Sequence, residues 1–272
     1  MSSTLSENWL QRFGGLARLY GKDSVELLAQ AHFVVAGIGG VGTWSAEALA
    51  RSGVGTITLI DLDDVCITNS NRQIHALKST IGQSKTAVMA NRLRDINPEI
   101  TVYEVEDFVT PDNAIEMIQP ATHHIVIDAT DTANAKSSLI AHCRRNKTPI
   151  VTVGSAGGKS DPRQVTSADL TLTVNDPLLA KVRNQLRRLH NFSRNTKKRF
   201  SVRAVYSEEQ MHYPTPEGGI CQNKQVMEGG VKLDCSGGFG ASMMVTCTFG
   251  MVAASQAIEL FLRRKNRNFS QA

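Results

Sequence analysis

The chain has 272 residues, of which 41% are hydrophobic and 20% charged, and this composition excludes a mainly disordered protein. A chain of this length buries enough surface for a large α/β core without disulfide staples. Its 30 Lys and Arg against 25 Asp and Glu give a formal net charge of +5, which by itself indicates little about nucleic acid.

The positive charge is concentrated in two stretches of the sequence. Nine basic residues and no acid occur between Lys181 and Arg203, and four more basic residues without an acid occur from Arg263 to Ala272. The rest of the chain carries a net charge of −8. The sequence therefore predicts an acidic body with two basic surfaces.

Short β-branched runs alternate with helix-like stretches along the first half of the chain. The predicted strands are 32–36, 56–60, 100–105, 124–127 and 149–153, and the predicted helices are 42–51, 85–96, 112–118 and 133–145. This alternation predicts a doubly wound, mostly parallel, Rossmann-like α/β sheet. Ligands of such sheets bind at the carboxyl ends of the strands.

We expect a single domain over 1–272 with four parts. These are N-terminal helices (1–30), a nucleotide-binding core (31–174), a basic crossover insertion (175–217) and a C-terminal part (218–272). The uncharged segment 235–258 is long enough to cross a membrane, which leaves a membrane-associated protein as an alternative. We favour a buried core helix, because its glycines and hydroxyl side chains make the segment weakly hydrophobic.

Cysteine usage indicates a cytoplasmic protein with reduced thiols. There are five cysteines, no two of which form a C-x-x-C pair: Cys66, Cys143, Cys221, Cys235 and Cys247. This spacing favours neither a disulfide scaffold nor a zinc ribbon. The N-terminal region has no apolar run typical of a signal peptide.

A glycine-rich turn, Gly-Ile-Gly-Gly-Val-Gly at 37–42, follows the first predicted strand and opens a helix. Such a turn lets the backbone approach a phosphate, whose charge the N–H groups at the helix start favour. Asp61 follows the second predicted strand, at the place of a carboxylate that holds ribose hydroxyls. These features alone indicate either a dinucleotide or ATP.

The residues after Asp61 favour ATP. An NAD dehydrogenase does not need Arg72 and Lys85 near a second group of phosphates. A site that binds a triphosphate needs such cations. Forming an acyl-adenylate requires positive charge on the departing pyrophosphate and a metal held by a carboxylate. Arg72 and Lys85 supply the charge, and Asp131, after the fourth predicted strand, is the candidate Mg²⁺ ligand.

Five segments carry a resemblance to a known family: QRFGGLARLYG at 11–21, the glycine turn, TNSNRQIHA at 68–76, DFVTP at 107–111 and DCSGGFG at 234–240. They resemble the bacterial tRNA threonylcarbamoyladenosine dehydratases of the ubiquitin-activating (E1-like) superfamily. That superfamily also contains the molybdopterin- and thiamine-pathway adenylyltransferases. The resemblance implies a homodimeric enzyme that uses ATP and Mg²⁺ to convert threonylcarbamoyladenosine at tRNA position 37 into its cyclic form.

The same resemblance implies the roles of individual residues. Arg72, Lys85 and Asp131 are the expected catalytic residues, with Asp131 on the metal. Arg12, or alternatively Arg18, is expected to reach the ATP of a partner subunit. The expected ATP-binding residues of the chain itself are Gly37, Gly39, Gly40, Gly42, Asp61, Asp63, Asn69, Asn71, Arg72, Gln73 and Lys85.

The first basic stretch is the candidate tRNA-binding surface, since a tRNA substrate needs cations for its backbone. We expect His190, Phe192 and Phe200 to be available for stacking on an unpaired base. The residues expected to bind tRNA are Arg187, Arg188, Arg194, Lys197, Lys198 and Arg199.

The sequence departs from other superfamily members in two respects. It lacks the paired C-x-x-C motifs that hold zinc in many sulfur-carrier adenylyltransferases. Cys235 is interpreted as a buried thiol rather than an acyl acceptor, because an intramolecular cyclisation needs no enzyme thiolate. Two alternatives stay open: adenylation of a ubiquitin-like or sulfur-carrier protein, and a nucleotide-binding partner of a cysteine desulfurase system.

Overall fold

The computed structural model describes residues 5–215, 218–222 and 239–265. The helices in this part of the chain are α1 (Glu7–Phe13), α2 (Ala17–Tyr20), α3 (Lys22–Ala29), α4 (Gly42–Arg51), α5 (Lys85–Ile96), α6 (Ala114–Met117), α7 (Ala133–Arg145), α8 (Pro177–Leu189) and α9 (Met243–Lys265). The strands are β1 (His32–Ala36), β2 (Thr56–Ile60), β3 (Thr101–Val105), β4 (Ile125–Asp128), β5 (Ile150–Val153), β6 (Val165–Asp169), β7 (Arg203–Ser207), β8 (Tyr213–Pro214) and β9 (Ile220–Cys221).

Strands β1 to β7 form one sheet in the order β3-β2-β1-β4-β5-β7-β6. All neighbours in it are parallel except β6 and β7, which are antiparallel. The predicted doubly wound, mostly parallel fold is therefore confirmed. From β1 the chain proceeds through β2 and β3 to one edge of the sheet, and from β4 it proceeds toward the other edge. The glycine turn after β1 therefore lies at the switch point, in the crevice where such sheets bind ligands.

Alternating residues of the strands supply two separate cores. Phe33 and Val35 of β1 face a layer that includes α4, α5 and α9, whereas Val34 and Ala36 face α6, α7 and α8. Every residue of β1 is buried, as expected for a central parallel strand covered on both faces. The two layers fix the edges of the sheet, so the loops at the carboxyl ends of the strands hold constant positions.

The uncharged C-terminal run contains a core helix in its described part. The inner face of α9 is buried in the core with α4, and Gly250 permits this close approach, because a Cβ there would lie 2.6 Å from Trp44 Cβ. Helix α9 is the one described helix long and apolar enough to cross a membrane. Of its most apolar 18-residue stretch, 56% is buried inside the protein. Its packing agrees with the predicted core helix.

The basic crossover contributes a strand to the sheet, which its charged sequence did not predict. Helix α8 fills much of residues 175–190, but β7 also lies in this segment and pairs with both β5 and β6. Phe200, expected to be free for base stacking, is 4% exposed and packs edge-on against Phe192. That expectation is wrong for Phe200, whose ring belongs to the core beneath α8.

Candidate functional site

The glycine turn has a shape that side chains would prevent. Gly37 has φ +88°, and a Cβ there would lie 2.7 Å from the carbonyl oxygen of Ala129. A Cβ on Gly42 would overlap the carbonyl oxygen of Gly37. The turn thus folds back on itself beside the loop that follows β4.

The backbone of the turn presents free donors. The N–H groups of Gly39, Gly40 and Val41 donate to no group among the described residues, and α4 begins immediately afterwards, at Gly42. Unpaired N–H groups at the start of a ten-residue helix form an anion-binding cradle. This is the geometry expected for a phosphate of a bound nucleotide.

Asp61 ties the turn to the end of β2. One carboxylate oxygen accepts the N–H of Ile38 over 2.6 Å, and the other accepts the N–H of Asp63 over 2.9 Å. Burial raises the pKa of Asp61, opposed by the nearby Lys85 ammonium and by both N–H groups. The Asp61 carboxylate, which the sequence predicts to hold the ribose, holds the turn in shape.

Lys85 joins this cluster from the N-terminus of α5. Its Nζ lies 2.6 Å from Asp63 Oδ2 and 3.7 Å from Asp61 Oδ1, and the residue is 5% exposed. The described structure therefore places Lys85 on carboxylates, whereas the sequence predicted it on phosphates. The ammonium lies beside the cradle with a partner, Asp63, whose side chain is half exposed.

Arg72 runs over the outer side of the turn. A Cβ on Gly40 would lie 3.3 Å from Arg72 Cγ. The guanidinium donates to the carbonyl of Thr68 and to Asn71 Oδ1, each over 2.8 Å. No acid pairs with Arg72 among the described residues, so its charge is available to an anion on the turn.

Two elements hold the Arg72 backbone in place. Trp44 of α4 donates its indole N–H to the Arg72 carbonyl over 3.0 Å, and Thr246 of α9 lies with its hydroxyl 3.5 Å from the same oxygen. Sequence reasoning interpreted Trp44 as a packing residue and missed this contact. A tryptophan two positions after the last turn glycine was the available signal.

Polar groups beside the turn lack partners in the described structure. Gln73 Oε1 and His75 Nδ1 are buried without a hydrogen bond, and Gln73 Nε2 would lie 3.9 Å from a Cβ on Gly39. The other ring nitrogen of His75 lies 3.2 Å from the Ile38 carbonyl. Because buried polar groups are normally paired, Gln73 is a candidate contact for a ligand on the turn.

The two predicted asparagines have different surroundings. Asn69 is buried, and its Oδ1 accepts the N–H of Cys66, which shapes the local loop. Asn71 is exposed and donates to the carbonyl of Ala241, just before α9. Only Asn71 therefore lies open to solvent beside Arg72.

Asp131 lies in the loop after β4, two residues beyond the Ala129 carbonyl that abuts Gly37. Its carboxylate is exposed and makes no hydrogen bond or ion pair within the described residues. No group of three or more metal-ligating side chains occurs in the described part of the chain. A lone free carboxylate fits Mg²⁺, which takes one or two protein carboxylates and completes its shell with water and substrate phosphates.

A buried ion pair anchors the start of this loop, and no sequence pattern predicted it. Lys136 Nζ lies 3.2 Å from Asp128 Oδ1, and neither side chain has exposed surface. Thr130 and Thr152 also donate to the Asp128 carboxylate, each over 2.7 Å. The network fixes the chain between β4 and Asp131.

Some predicted residues lie far from the turn. Arg12 is on α1, which packs at the amino ends of the strands through a hydrogen bond from Trp9 to the Gly53 carbonyl. The C-terminus of α8 and the loop before β7 lie at that amino edge too. Arg12 therefore does not reach the turn of its own chain, and the basic residues from the end of α8 onward are remote from it as well.

Within the basic stretch, five of the six expected residues are exposed: Arg188, Arg194, Lys197, Lys198 and Arg199. Arg187 is half buried, with its guanidinium carbon 5.1 Å from the centre of the Phe200 ring. Arg187 thus packs against the Phe200 ring as well as contributing a positive charge. Cys235 lies outside the described residues.

Comparison with known proteins defines the class first. The model of the ThiF family matches residues 14–271 of the chain. This match covers the glycine turn, the Arg72 loop, Asp131 and the basic stretch. The chain belongs to the ThiF family, whose α/β fold it has, as the resemblance implied.

Relatives narrow the assignment. The tRNA threonylcarbamoyladenosine dehydratase of Escherichia coli (strain K12) is 51% identical over 98% of this chain and 99% of its own. The solved structure TcdA (CsdL) matches with a TM-score of 0.89 and 49% identity over 98% of this chain and all of that one. The E. coli tRNA N6-threonylcarbamoyladenosine dehydratase TcdA in complex with ATP has a TM-score of 0.86 and 48% identity, covering 97% of this chain and 99% of that one. The chain belongs to the tRNA threonylcarbamoyladenosine dehydratase branch of the ThiF family.

Proposed function

We propose that this protein is an ATP-dependent enzyme that adenylates the carboxylate of threonylcarbamoyladenosine at tRNA position 37 and promotes its dehydration to the cyclic form. The observation that carries the proposal is the open cradle of N–H groups at Gly39, Gly40 and Val41 with Arg72 above it. It occurs in a chain half identical to a dehydratase of that name, and a relative of the same name binds ATP.

ATP binds with its phosphates on the turn formed by Gly37, Gly39, Gly40 and Gly42. Asp61 holds the ribose hydroxyls, since its carboxylate lies at the end of β2 and is anchored by the Ile38 N–H. The other expected contacts, supported by their position around the turn, are Asp63, Asn69, Asn71, Gln73 and Lys85. Of these, Gln73 has a buried acceptor free to take a new partner.

In the first step, a carboxylate oxygen of the substrate attacks the α-phosphorus. The bond from that phosphorus to the bridging oxygen of the β-phosphate breaks, and pyrophosphate leaves with the electron pair. Arg72 stabilises the charge that develops on the departing group, because its side chain lies against Gly40 of the turn and no described acid pairs with its guanidinium. Lys85 contributes when Asp63 releases it.

Asp131 is the proposed Mg²⁺ ligand. Mg²⁺ bound there would neutralise phosphate charge and favour in-line displacement. Asp131 itself is held next to Gly37 by the loop that Asp128 and Lys136 anchor.

In the second step, the carbamoyl group attacks the activated acyl carbon, AMP leaves and a proton is released. Attacking and attacked groups belong to the same side chain of the nucleoside, so the reaction is intramolecular and needs no enzyme nucleophile. The balance is one ATP consumed, one AMP and one pyrophosphate formed, and a nucleoside lighter by one water. The site contributes orientation of the reacting groups.

The tRNA backbone is proposed to contact the basic surface at the end of α8, which consists of Arg187, Arg188, Arg194, Lys197, Lys198 and Arg199. A surface with several exposed cations and no acid is the arrangement that releases counterions from a polyanion. Replacing Arg188, Lys197 and Lys198 by Gln should weaken tRNA binding and flatten its salt dependence. ATP affinity should stay unchanged, and equal tRNA binding by this variant would remove the surface from the proposal.

A homodimer is supported by an apolar surface near the site. Met243 and Met244 of α9 are 45% and 59% exposed, and Ile67 beside the Arg72 loop is 71% exposed. Large apolar side chains exposed on a surface are typical of protein interfaces when they form one patch. A partner on this surface is the route by which Arg12, remote from its own turn, would reach ATP in the other subunit.

The protein is proposed to work in the cytoplasm, because its substrate tRNA is there and α9 is buried against α4. Membrane association through 235–258 has no further support, and residues 235–238 lie outside the described ones. A cysteine desulfurase or sulfur-acceptor partner is compatible with the superfamily, as is adenylation of a carrier protein, and both remain weaker proposals.

The test is whether pyrophosphate release depends on the molecule whose carboxylate accepts the adenylyl group. With Mg·ATP, tRNA bearing threonylcarbamoyladenosine should stimulate release of pyrophosphate, and the same tRNA lacking the threonylcarbamoyl group should not. A carrier protein ending in Gly-Gly is the comparison. Stimulation by the carrier alone would replace the proposed function by protein adenylation.

A further inference from the structure

A cavity of about 500 Å³ opens at the amino edge of the sheet, outside the nucleotide site. It lies between the starts of β5 and β7 and the C-terminal ends of α7 and α9. Four basic side chains line it together with one acid, Asp169: Arg144, Lys147, Arg203 and Arg264.

The cations of this basic cavity have no acidic partner in the described part of the chain. None of the four cations makes an ion pair with another described residue. The carboxylate of Asp169 instead accepts the N–H groups of Thr171, Phe200 and Ser201. Arg264 donates to the main-chain carbonyl of Lys147, which leaves the rest of its fork free for a ligand.

Three distant parts of the sequence meet at the basic cavity. Arg203 is the last residue of the first basic stretch, and Arg264 lies in the second. Arg144 and Lys147 come from the end of α7, which the charge distribution did not single out. The cavity is also continuous with the basic surface of α8, because Arg199 donates to Thr171, which itself donates to Asp169.

The position of the cavity restricts the length of a ligand shared with the nucleotide site. Gly37 follows the end of β1, whereas Ile150 and Arg203 begin parallel strands of the same sheet. Strands of four or five residues separate the two edges by roughly 15 Å. A nucleic-acid backbone can span that distance, so one RNA can occupy both sites.

We propose that the basic cavity binds backbone phosphate of the tRNA away from the modified nucleotide, and so holds the RNA while position 37 is at the glycine turn. This inference rests on the proposed function. One guanidinium group can donate two parallel hydrogen bonds to two oxygens of a phosphate, and three of the four cations are arginines. The cavity contributes affinity that is independent of sequence and sensitive to salt.

The test compares Arg144→Gln/Arg264→Gln with a control of equal charge change, Lys22→Gln/Arg163→Gln. Both control residues are exposed and line neither site. Binding of tRNA is measured over a salt series. The cavity variant should bind at least about fivefold more weakly, with a slope of log affinity against log salt reduced by about 1 to 2. The control should match the wild type, and both should keep wild-type ATP affinity and melting temperature.

Equal tRNA affinity and slope in the cavity variant and the control would overturn the proposal. Binding of poly-glutamate is measured at matched ionic strength. If it binds the wild type more tightly than tRNA does, and the cavity variant loses this binding, the proposal is also overturned, since the cavity would then recognise an acidic protein. Nucleoside conversion at saturating tRNA is measured on the same samples. If the wild type converts no nucleoside but the cavity variant still shows the expected loss of tRNA affinity, the result counts against the proposed function and leaves the cavity assignment standing.

Discussion

The indole N–H of Trp44 donates to the main-chain carbonyl of Arg72 over 3.0 Å, which joins the first turn of α4 to the loop that carries the arginine. Helix α4 also begins at the glycine turn. The Trp44 hydrogen bond therefore positions the main chain of Arg72 relative to the helix that begins at the N–H cradle.

Trp44→Phe should keep the ring and lose this hydrogen bond. We expect turnover to fall about tenfold with little change in KM for ATP, because the ground-state cradle stays intact while the charge over the departing group shifts. Unfolding free energy should fall by about 1 kcal/mol.

Trp9→Phe is the matched control for that substitution. Its indole N–H donates to the Gly53 carbonyl at the other edge of the sheet. It should lose comparable stability and keep full turnover. If the two variants lose turnover equally, Trp44 does not position Arg72.

Arg72→Ala and Asp131→Ala should each lower turnover by at least about 10²-fold, the scale for removing a group that stabilises transition-state charge. Arg163→Ala is the control, since Arg163 is exposed and its one ion pair among the described residues is with Asp161. Steady-state pyrophosphate release measures the effect. Near-normal rates in both site variants would refute their assigned roles.

Lys136→Met should destabilise the fold by about 3 to 5 kcal/mol, because it leaves the Asp128 carboxylate buried without its cation. Lys136→Met combined with Asp128→Asn should recover part of this loss, since the double variant buries no charge. Urea unfolding at pH 7 gives both values. A double variant less stable than Lys136→Met would contradict the account of the pair.

His75 should make stability depend on pH. Burial lowers its pKa from an ordinary value of 6.5 to about 4, so the folded protein keeps the ring neutral where the unfolded chain is protonated. Its contribution to stability is present above pH 6.5 and is lost as pH falls toward 4. Within this window the slope approaches about 1.4 kcal/mol per pH unit.

His75→Gln should remove that part of the pH dependence, because glutamine takes up no proton in this range. Urea midpoints at pH 7.5, 6 and 5 test the expectation, and the pH 7.5 value is the internal reference. An unchanged slope in the variant would show that other groups carry the effect.

Much of the fold could be predicted because local pattern and tertiary environment agree there. The bounds predicted for α4, α5 and α7 and for β1 and β2 match the structure. Strand β7 was missed because Arg203 and the surrounding charges obscured a short apolar run. Its burial arises from pairing with β5 and β6, which are distant in sequence.

The candidate site was predicted as a set of residues but not as a geometry. Asp61, Arg72 and Asp131 do come together around the glycine turn, because each follows a strand or loop at the carboxyl edge. The pairing of Lys85 with Asp63 and the burial of Lys136 on Asp128 depend on three-dimensional distances. Spacing along one chain carries no such information, so these interactions emerge only from the fold.

The most direct test of the account is the mass of the modified nucleoside. tRNA bearing threonylcarbamoyladenosine is incubated with the protein and Mg·ATP, digested and analysed by mass spectrometry under mild conditions that preserve the cyclic form. The account predicts a nucleoside lighter by one water, with AMP formed in equal amount. An unchanged nucleoside while ATP is consumed would contradict it.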